Sequence, residues 1–314
     1  AGSPTRMTGM TNGYHCVVCV KYVPDTKRVT GEAMKEDGTV NRAALEMIFN
    51  PEDLNALEAA LQIRDVHGGR VTVLTMGAPS ASEILRESLY RGADRAVLLT
   101  DRRAAGSDTL ATSYILSRAV RKLEPDLVLC GRQAIDGDTA QVGPQLAEKL
   151  DIPLVTYVEE LLGLNDGALR CRRNVGAGWE VVSCDLPVLL TVMETANTPR
   201  PPAARRIMKY KKARAVAEVA AEVARAMPDE DEEARKKEIE QRCGALGAKG
   251  LLIEAWGMDD IGADLSWCGL SGSPTKVHRI QSVVLTGGEY KEFPPTDEAV
   301  AELVGELIED HTIG

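Results

Sequence analysis

Leu127-Val-Leu-Cys-Gly-Arg-Gln-Ala-Ile-Asp-Gly-Asp-Thr-Ala-Gln-Val-Gly-Pro144 decides how the rest of the chain is read. The first four residues are apolar without alternation, the mark of a strand buried on both faces. A polar loop with glycines follows, and a helix is expected over residues 139–150. In an open parallel sheet, ligands bind beyond the carboxyl ends of the strands. The first-turn N–H groups of Ala140, Gln141, Val142 and Gly143 would face that crevice, with the helix dipole behind them. Gly131, Gly137 and Gly143 allow the backbone to approach a ligand closely. Thr139 can cap the helix or bond a phosphate. Asp136 and Asp138 repel phosphate unless they meet ribose hydroxyls or backbone. The competing reading is a plain strand-to-helix connection with a capped helix.

The same alternation extends outward from this stretch. Strands are expected at 16–20, 71–76, 96–100 and 127–130. Helices are expected at 51–66, from 80 to about 92, at 108–123 and at 139–150, with Ser80 and Glu83 as a capping box for the second. Continuous apolar strands separated by helices imply an α/β fold, an open and mostly parallel sheet with helices on both faces. Residues 154–162, 168–173, 179–184 and 188–192 are strand-like without intervening helices. They read as an antiparallel extension, with turns at Asn165-Asp-Gly167 and Ala177-Gly178. The domain organisation is then a tail at 1–13 and a nucleotide-binding α/β domain at 14–195. A proline-rich and basic segment covers 196–212, and a charged helical insert 213–250. A C-terminal arm at 251–314 carries a short strand at 281–285 and a last helix at 296–310, and wraps a partner.

Composition excludes several functions. The chain has 314 residues, 44% hydrophobic and 27% charged, with a net charge of −10. An acidic chain with only 4% aromatics is a poor nucleic-acid binder. The longest apolar run, 187–193, is far short of a membrane span. Seven cysteines, an odd number mostly inside apolar runs, fit a reducing cytoplasm better than a disulfide framework. The C-x-x-C at Cys16 and Cys19 lies in a strand, where a spacing of three puts the sulfurs on opposite faces. Four scattered histidines make no metal cluster, and no nucleophile, zinc or P-loop motif is present. The basic run 205–214 reads as a solvated face, with acidic partners or the acids of 229–233 as the competing ways to neutralise it.

Other strand ends point to the same edge as the opening stretch. Cys19 and Lys21 end the first strand, and Met76 and Gly77 the second. Asp108, Thr109 and Thr112 stand at the third strand-to-helix turn, where simple N-capping is the competing reading.

At these residues the sequence resembles the β subunit of electron-transfer flavoproteins. The resemblance runs through Cys19-Val-Lys-Tyr-Val-Pro-Asp25, Thr75-Met-Gly77, Arg91-Gly-Ala-Asp94, residues 126–144 and Ile207-Met-Lys-Tyr-Lys-Lys212. It implies an adenine-nucleotide-binding, stress-protein-like fold and a heterodimer with an α subunit that carries a mobile FAD. It also implies a nucleotide site lined by Cys19, Met76, Gly131, Gln133, Ile135, Asp136, Gly137, Asp138, Thr139, Ala140, Gln141 and Val142. Ordinary members hold AMP there. Electron-bifurcating members hold a second FAD that takes hydride from NADH. Asp108-Thr-Leu-Ala-Thr112, residues 131–143 and Gly272-Ser-Pro-Thr-Lys276 are similar to the bifurcating branch, which implies ferredoxin or flavodoxin as low-potential acceptor. Glu194, Thr195, Ala196, Asn197, Thr198 and Pro199 resemble the loop that docks an acyl-CoA dehydrogenase, with Ala196 where members often present a larger apolar anchor. The insert at 213–250 exceeds what typical members carry. Two other readings stay open: a subunit with structural AMP only, and a stand-alone adenine-nucleotide sensor.

Overall fold

The first strand, β1 (Tyr14–Cys19), shows why the sheet is covered on both faces. Cys16 and Val18 are fully buried in one apolar cluster, while Val17 and Cys19 lie in another on the opposite face. In a computed structural model, residues 13–25, 45–275 and 291–309 are described. The tail before residue 13, the loop at 26–41 and the strand expected at 281–285 lie outside the described residues.

After β1 come β2 (Tyr22–Pro24), β3 (Met47–Phe49) and α1 (Pro51–His67). The alternation continues with β4 (Gly69–Met76), α2 (Ser82–Arg91), β5 (Arg95–Leu99), α3 (Thr109–Leu123), β6 (Leu127–Gly131) and α4 (Val142–Leu150). β7 (Leu154–Asn165), β8 (Ala168–Asn174), β9 (Trp179–Asp185) and β10 (Val188–Val192) follow. The last part holds α5 (Ala204–Tyr210), β11 (Arg214–Ala215), α6 (Val216–Ala226), α7 (Glu232–Ala248), β12 (Leu252–Trp256) and α8 (Asp297–Glu309). One sheet orders its strands β11-β12-β5-β4-β1-β6-β10-β7-β8-β9. Helices α1 and α2 supply apolar residues to one face, such as Leu57, Leu61, Ile84 and Leu85. Helices α3 and α4 supply Ile115, Leu116 and Leu146 to the other. The expected α/β class and its parallel core are what the structure contains.

Several local expectations are corrected. β10 is not part of the antiparallel extension. It pairs parallel with both β6 and β7, so only β7, β8 and β9 form the antiparallel meander. A fully buried five-residue strand carries no polar side to set its neighbours, which is why its pattern did not place it. Residues 22–24, which lie outside the expected strands, form β2, which pairs antiparallel with β3. Leu252–Trp256, expected as the first part of the C-terminal arm, is β12, parallel to β5 at Glu254–Trp256. The charged helices α6 and α7 are therefore the connection between two parallel strands, β11 and β12. Ser80 and Glu83 do not form a capping box, because a 3-10 turn at Pro79–Ala81 precedes α2 and Ala81 occupies its N-cap. Glu83 instead pairs with Arg86. The basic run is not neutralised by 229–233. Arg206 donates to the carbonyls of Leu89 and Ala93, and Arg214 pairs with Glu222.

Candidate functional site

The carboxyl ends of β1, β4 and β6, with the turns before α3 and α4, enclose a cavity of about 390 Å³. Its floor is apolar and includes Val20, Leu74, Leu116 and Cys130. Its rim has two parts, the loop from Gly131 to Gln141 and the turn at Ser107–Thr109.

The loop from β6 is held from below by the start of α1. Asp53 accepts the N–H of Gly131 at 3.0 Å and that of Lys21 at 2.8 Å, joining the ends of β6 and β1. Asn50 accepts the N–H of Ile135 at 3.1 Å and donates to the carbonyl of Gln133 at 2.9 Å. Glu52 accepts the N–H of Gln133 at 2.8 Å and pairs with Arg132 at 2.9 Å. Gly131 is required here, since a Cβ would stand 2.5 Å from an Asp53 oxygen. Burial pushes the Asp53 carboxyl up to about 7, against the opposing pull of Asn50 and the two N–H groups. Nothing in the sequence pattern singled out Asn50, Glu52 and Asp53. Acids in a helix's first turn read as dipole complements.

Beyond that anchor the backbone takes strained shapes. Asp138 and Ala140 have φ of 47° and 52°, left-handed values that L residues rarely adopt. Ala has no side-chain hydrogen bond to compensate, so the conformation marks a functional constraint. Among the described residues, the N–H groups of Thr139, Ala140, Gln141, Val142 and Gly143 meet no protein acceptor. A run of free N–H groups over left-handed turns is an anion-binding concavity. α4 begins at Val142 rather than at 139, with Gln141 at the N-cap and no side-chain cap. Thr139 is thus an exposed loop residue on the cavity, not the cap. The carboxylates that argued against phosphate are already engaged. Asp136 takes both its oxygens to Lys21 Nζ, at 2.8 and 2.7 Å, and Asp138 accepts from Gln133 at 3.0 Å.

At the other rim, Asp108 caps α3 by accepting the N–H of Ala111 at 3.0 Å. Thr109 donates to Gln141 at 3.0 Å and so bridges the two rims. The structure brings Cys19, Lys21, Met76, Asp108, Thr109, Thr112, Gly131, Gln133, Asp136, Gly137, Asp138, Thr139, Ala140, Gln141, Val142 and Gly143 onto one cavity. Gly77 and Ile135 are not on it: Gly77 donates to the Leu99 carbonyl at 3.0 Å, and Ile135 is tied to Asn50. Of the cavity's cysteines, Cys130 is poorly suited to thiolate chemistry. A hydrogen bond to Cys19 together with burial pushes the Cys130 thiol well above its ordinary value. Cys16 lies on the opposite face from Cys19, where burial pushes its thiol up to about 12.

The segment Glu194, Thr195, Ala196, Asn197, Thr198 and Pro199 does not line the cavity. It lies along α1, where Asn55 donates to the carbonyl of Asn197 at 2.7 Å and Asn197 donates back at 3.0 Å. Glu58 pairs with Arg200 at 2.8 Å. Glu194, Thr195 and Thr198 are left exposed.

Residues 37–241 match the family model described as electron transfer flavoprotein domain. The chain is 40% identical over 297 residues to the electron transfer flavoprotein subunit beta of Clostridium acetobutylicum, covering 95% of this chain and 99% of that one. It is 39% identical over 301 residues to protein FixA of Sinorhizobium fredii, covering 94% and 92%. It is 40% identical over 300 residues to the caffeyl-CoA reductase-Etf complex subunit CarD of Acetobacterium woodii, covering 95% and 99%. Among the described residues no helix is long and apolar enough to cross a membrane. With this fold and likeness over nearly its whole length, the chain belongs to the electron transfer flavoprotein family as a β-type subunit, a protein of electron transfer whose partner is an α subunit.

Proposed function

We propose that the cavity holds FAD and that the chain is the β subunit of an electron-bifurcating flavoprotein. The observation that carries the nucleotide reading is the row of free N–H groups from Thr139 to Gly143 above an apolar floor. A cavity of about 390 Å³ lies in the small-ligand range. The N–H groups suit a phosphate, and the floor at Leu74, Leu116 and Cys130 suits a base or sugar face. Those features address the adenosine phosphate common to FAD and AMP, so they fit either group. What favours FAD is the similarity of Asp108–Thr112, residues 131–143 and the sequence Gly272-Ser-Pro-Thr-Lys276 to the bifurcating branch. The relative CarD, named as a subunit of a caffeyl-CoA reductase-Etf complex, agrees with an acyl-CoA-linked redox partner.

FAD bound here would take hydride from NADH and divide the electron pair between the α-subunit FAD and ferredoxin or flavodoxin. The chain's own residues bind and orient. Lys21 and the N–H groups of 139–143 would hold phosphate, and Asn50, Glu52 and Asp53 would keep their loop in shape. Glu194 to Pro199 would present the dehydrogenase-docking surface, with α1 behind it, in a cytoplasmic complex. The runner-up is the same architecture with AMP as a structural ligand.

The test is a nucleotide inventory. The chain is purified with its α subunit and denatured, and released FAD and AMP are counted against protein. Two FAD and no AMP per heterodimer is the expected result. One FAD with one AMP would replace bifurcation by simple electron carriage. A soluble, flavin-free chain with tightly held ATP would sink both readings in favour of a nucleotide sensor.

A further inference from the structure

The segment Cys268–Thr275 crosses from the far end of the chain to the cavity rim and is built into it. Ser273, only 5% exposed, accepts the N–H of Asp108 at 2.8 Å and donates to the carbonyl of Gly269 at 2.7 Å. Thr275 donates its N–H to Asp108 Oδ2 at 3.0 Å, and Gly269 donates its N–H to Ser107 Oγ at 3.1 Å. The fit is close. Gly269 has φ of 58°, and a Cβ there would stand 2.3 Å from the Arg103 carbonyl oxygen. Both oxygens of Asp108 are thereby spent on backbone, one on Ala111 and one on Thr275. The path then continues through Thr109 to Gln141, the N-cap of α4, in the middle of the free N–H groups.

We propose that Cys268–Thr275 is a latch for the nucleotide cavity and that Ser273 is its positioning residue. Resting on the nucleotide reading above, the inference assigns Asp108 a different duty from the one its place on the cavity suggests. It is the strut between the latch and the rim, while Thr109 and Thr112 face the ligand. Ligand in the cavity and the docked latch then stabilise each other, because each favours the same position of Ser107–Thr109.

The test uses the full chain in its complex with the α subunit, dialysed free of dissociable nucleotide and titrated with AMP. Ser273→Ala should weaken AMP binding about tenfold, because it removes the acceptor of the Asp108 N–H and with it the tie between latch and rim. Ser273→Thr should bind within about twofold of the wild type, since it keeps the hydroxyl. Ser271→Ala is the control, as Ser271 bonds only within its own segment, to Cys268 and Leu265. In the unaltered complex, AMP should slow amide hydrogen exchange at Gly269 and Thr275, which are not on the cavity. That measurement needs no variant and decides the matter even where Ser273→Ala fails to fold. Unchanged affinity in Ser273→Ala, or no AMP-dependent slowing at those two amides, overturns the latch. An unaltered complex that, once freed of nucleotide, binds neither AMP nor FAD overturns the nucleotide reading itself, and the latch with it.

Discussion

The cavity has two rims of similar shape, both strand-to-helix turns, yet they are supported in different ways. The Gly131–Gln141 rim rests on Asn50, Glu52 and the buried Asp53, all in or beside the first turn of α1. The Ser107–Thr109 rim rests on neutral hydroxyl and backbone groups of Gly269, Ser273 and Thr275. Bonds to buried carboxylates are expensive to break, because each lost acceptor leaves a backbone donor stranded. The second rim has no such buried acid under it: it is held by single bonds of Ser107, Asp108 and Ser273, of which only the Ser273 hydroxyl is buried. The first rim is thus fixed by folding, and the second is open to adjustment by whatever moves the C-terminal segment.

The harshest trial of this contrast is Asp53→Ala. It strands the N–H groups of Lys21 and Gly131 together, and a loss of about 3 kcal/mol in denaturant unfolding is expected. Asn50→Ala removes one acceptor and one donor of the same rim and should cost about 1–2 kcal/mol, with AMP affinity lowered as the loop loosens. A cost below about 0.5 kcal/mol for either would remove the distinction between the rims.

Acidity separates the rims by sign. Burial raises the Asp53 carboxyl to about 7, above its ordinary value near 4. The native state then holds that proton more tightly than the unfolded chain. This contribution to stability is complete below about pH 4 and is lost as pH rises through 7. Asp108 behaves in the opposite sense. Burial raises its carboxyl, but the N–H groups of Ala111 and Thr275 outweigh that and hold it below the ordinary value. Its contribution is present above about pH 4 and fades as the solution is acidified further. Thermal unfolding from pH 3 to 8 should therefore show the wild type losing ground to Asp53→Asn between pH 4 and 7. It should lose ground to Asp108→Asn only below pH 4. Equal slopes for the two variants would contradict the assignment.

The smallest effect belongs to the link across the mouth. Lys21 is half exposed, and its pair with Asp136 is a surface ion pair worth little. Lys21→Met should change stability by less than about 0.5 kcal/mol while reducing AMP affinity, as read by calorimetry.

The two rims also differ in how much of them the sequence disclosed. Residues 127–143 announced a strand, a polar loop and a helix because the signals are contiguous. The supports were hidden because their partners are remote. Asp53 and Gly131 are separated by 78 residues, and Asp108 and Ser273 by 165. The stretch Gly272-Ser-Pro-Thr-Lys276 resembles a family branch, yet nothing local in it says where its described part docks. The start of α4 was placed three residues early because Ala140, in a left-handed conformation, reads locally as a helix former. Parallel strands were legible from their apolar runs, whereas the position of β10 followed from pairing that spans the whole of residues 132–187.

That position bears on how the protein is made. The loop after β6 leans on β10: the N–H of Arg132 donates to the Val192 carbonyl at 3.0 Å, and Gly143 sits against Thr191. A chain leaving the ribosome from its N-terminus offers residues 131–143 well before Val192 has been added. In that interval β6 has no neighbour on its outer side. The rim loop of the nascent cavity lacks this support until the β7–β9 meander has turned back and delivered β10. The rim that carries the free N–H groups therefore takes its final shape late in synthesis, after the sheet has closed.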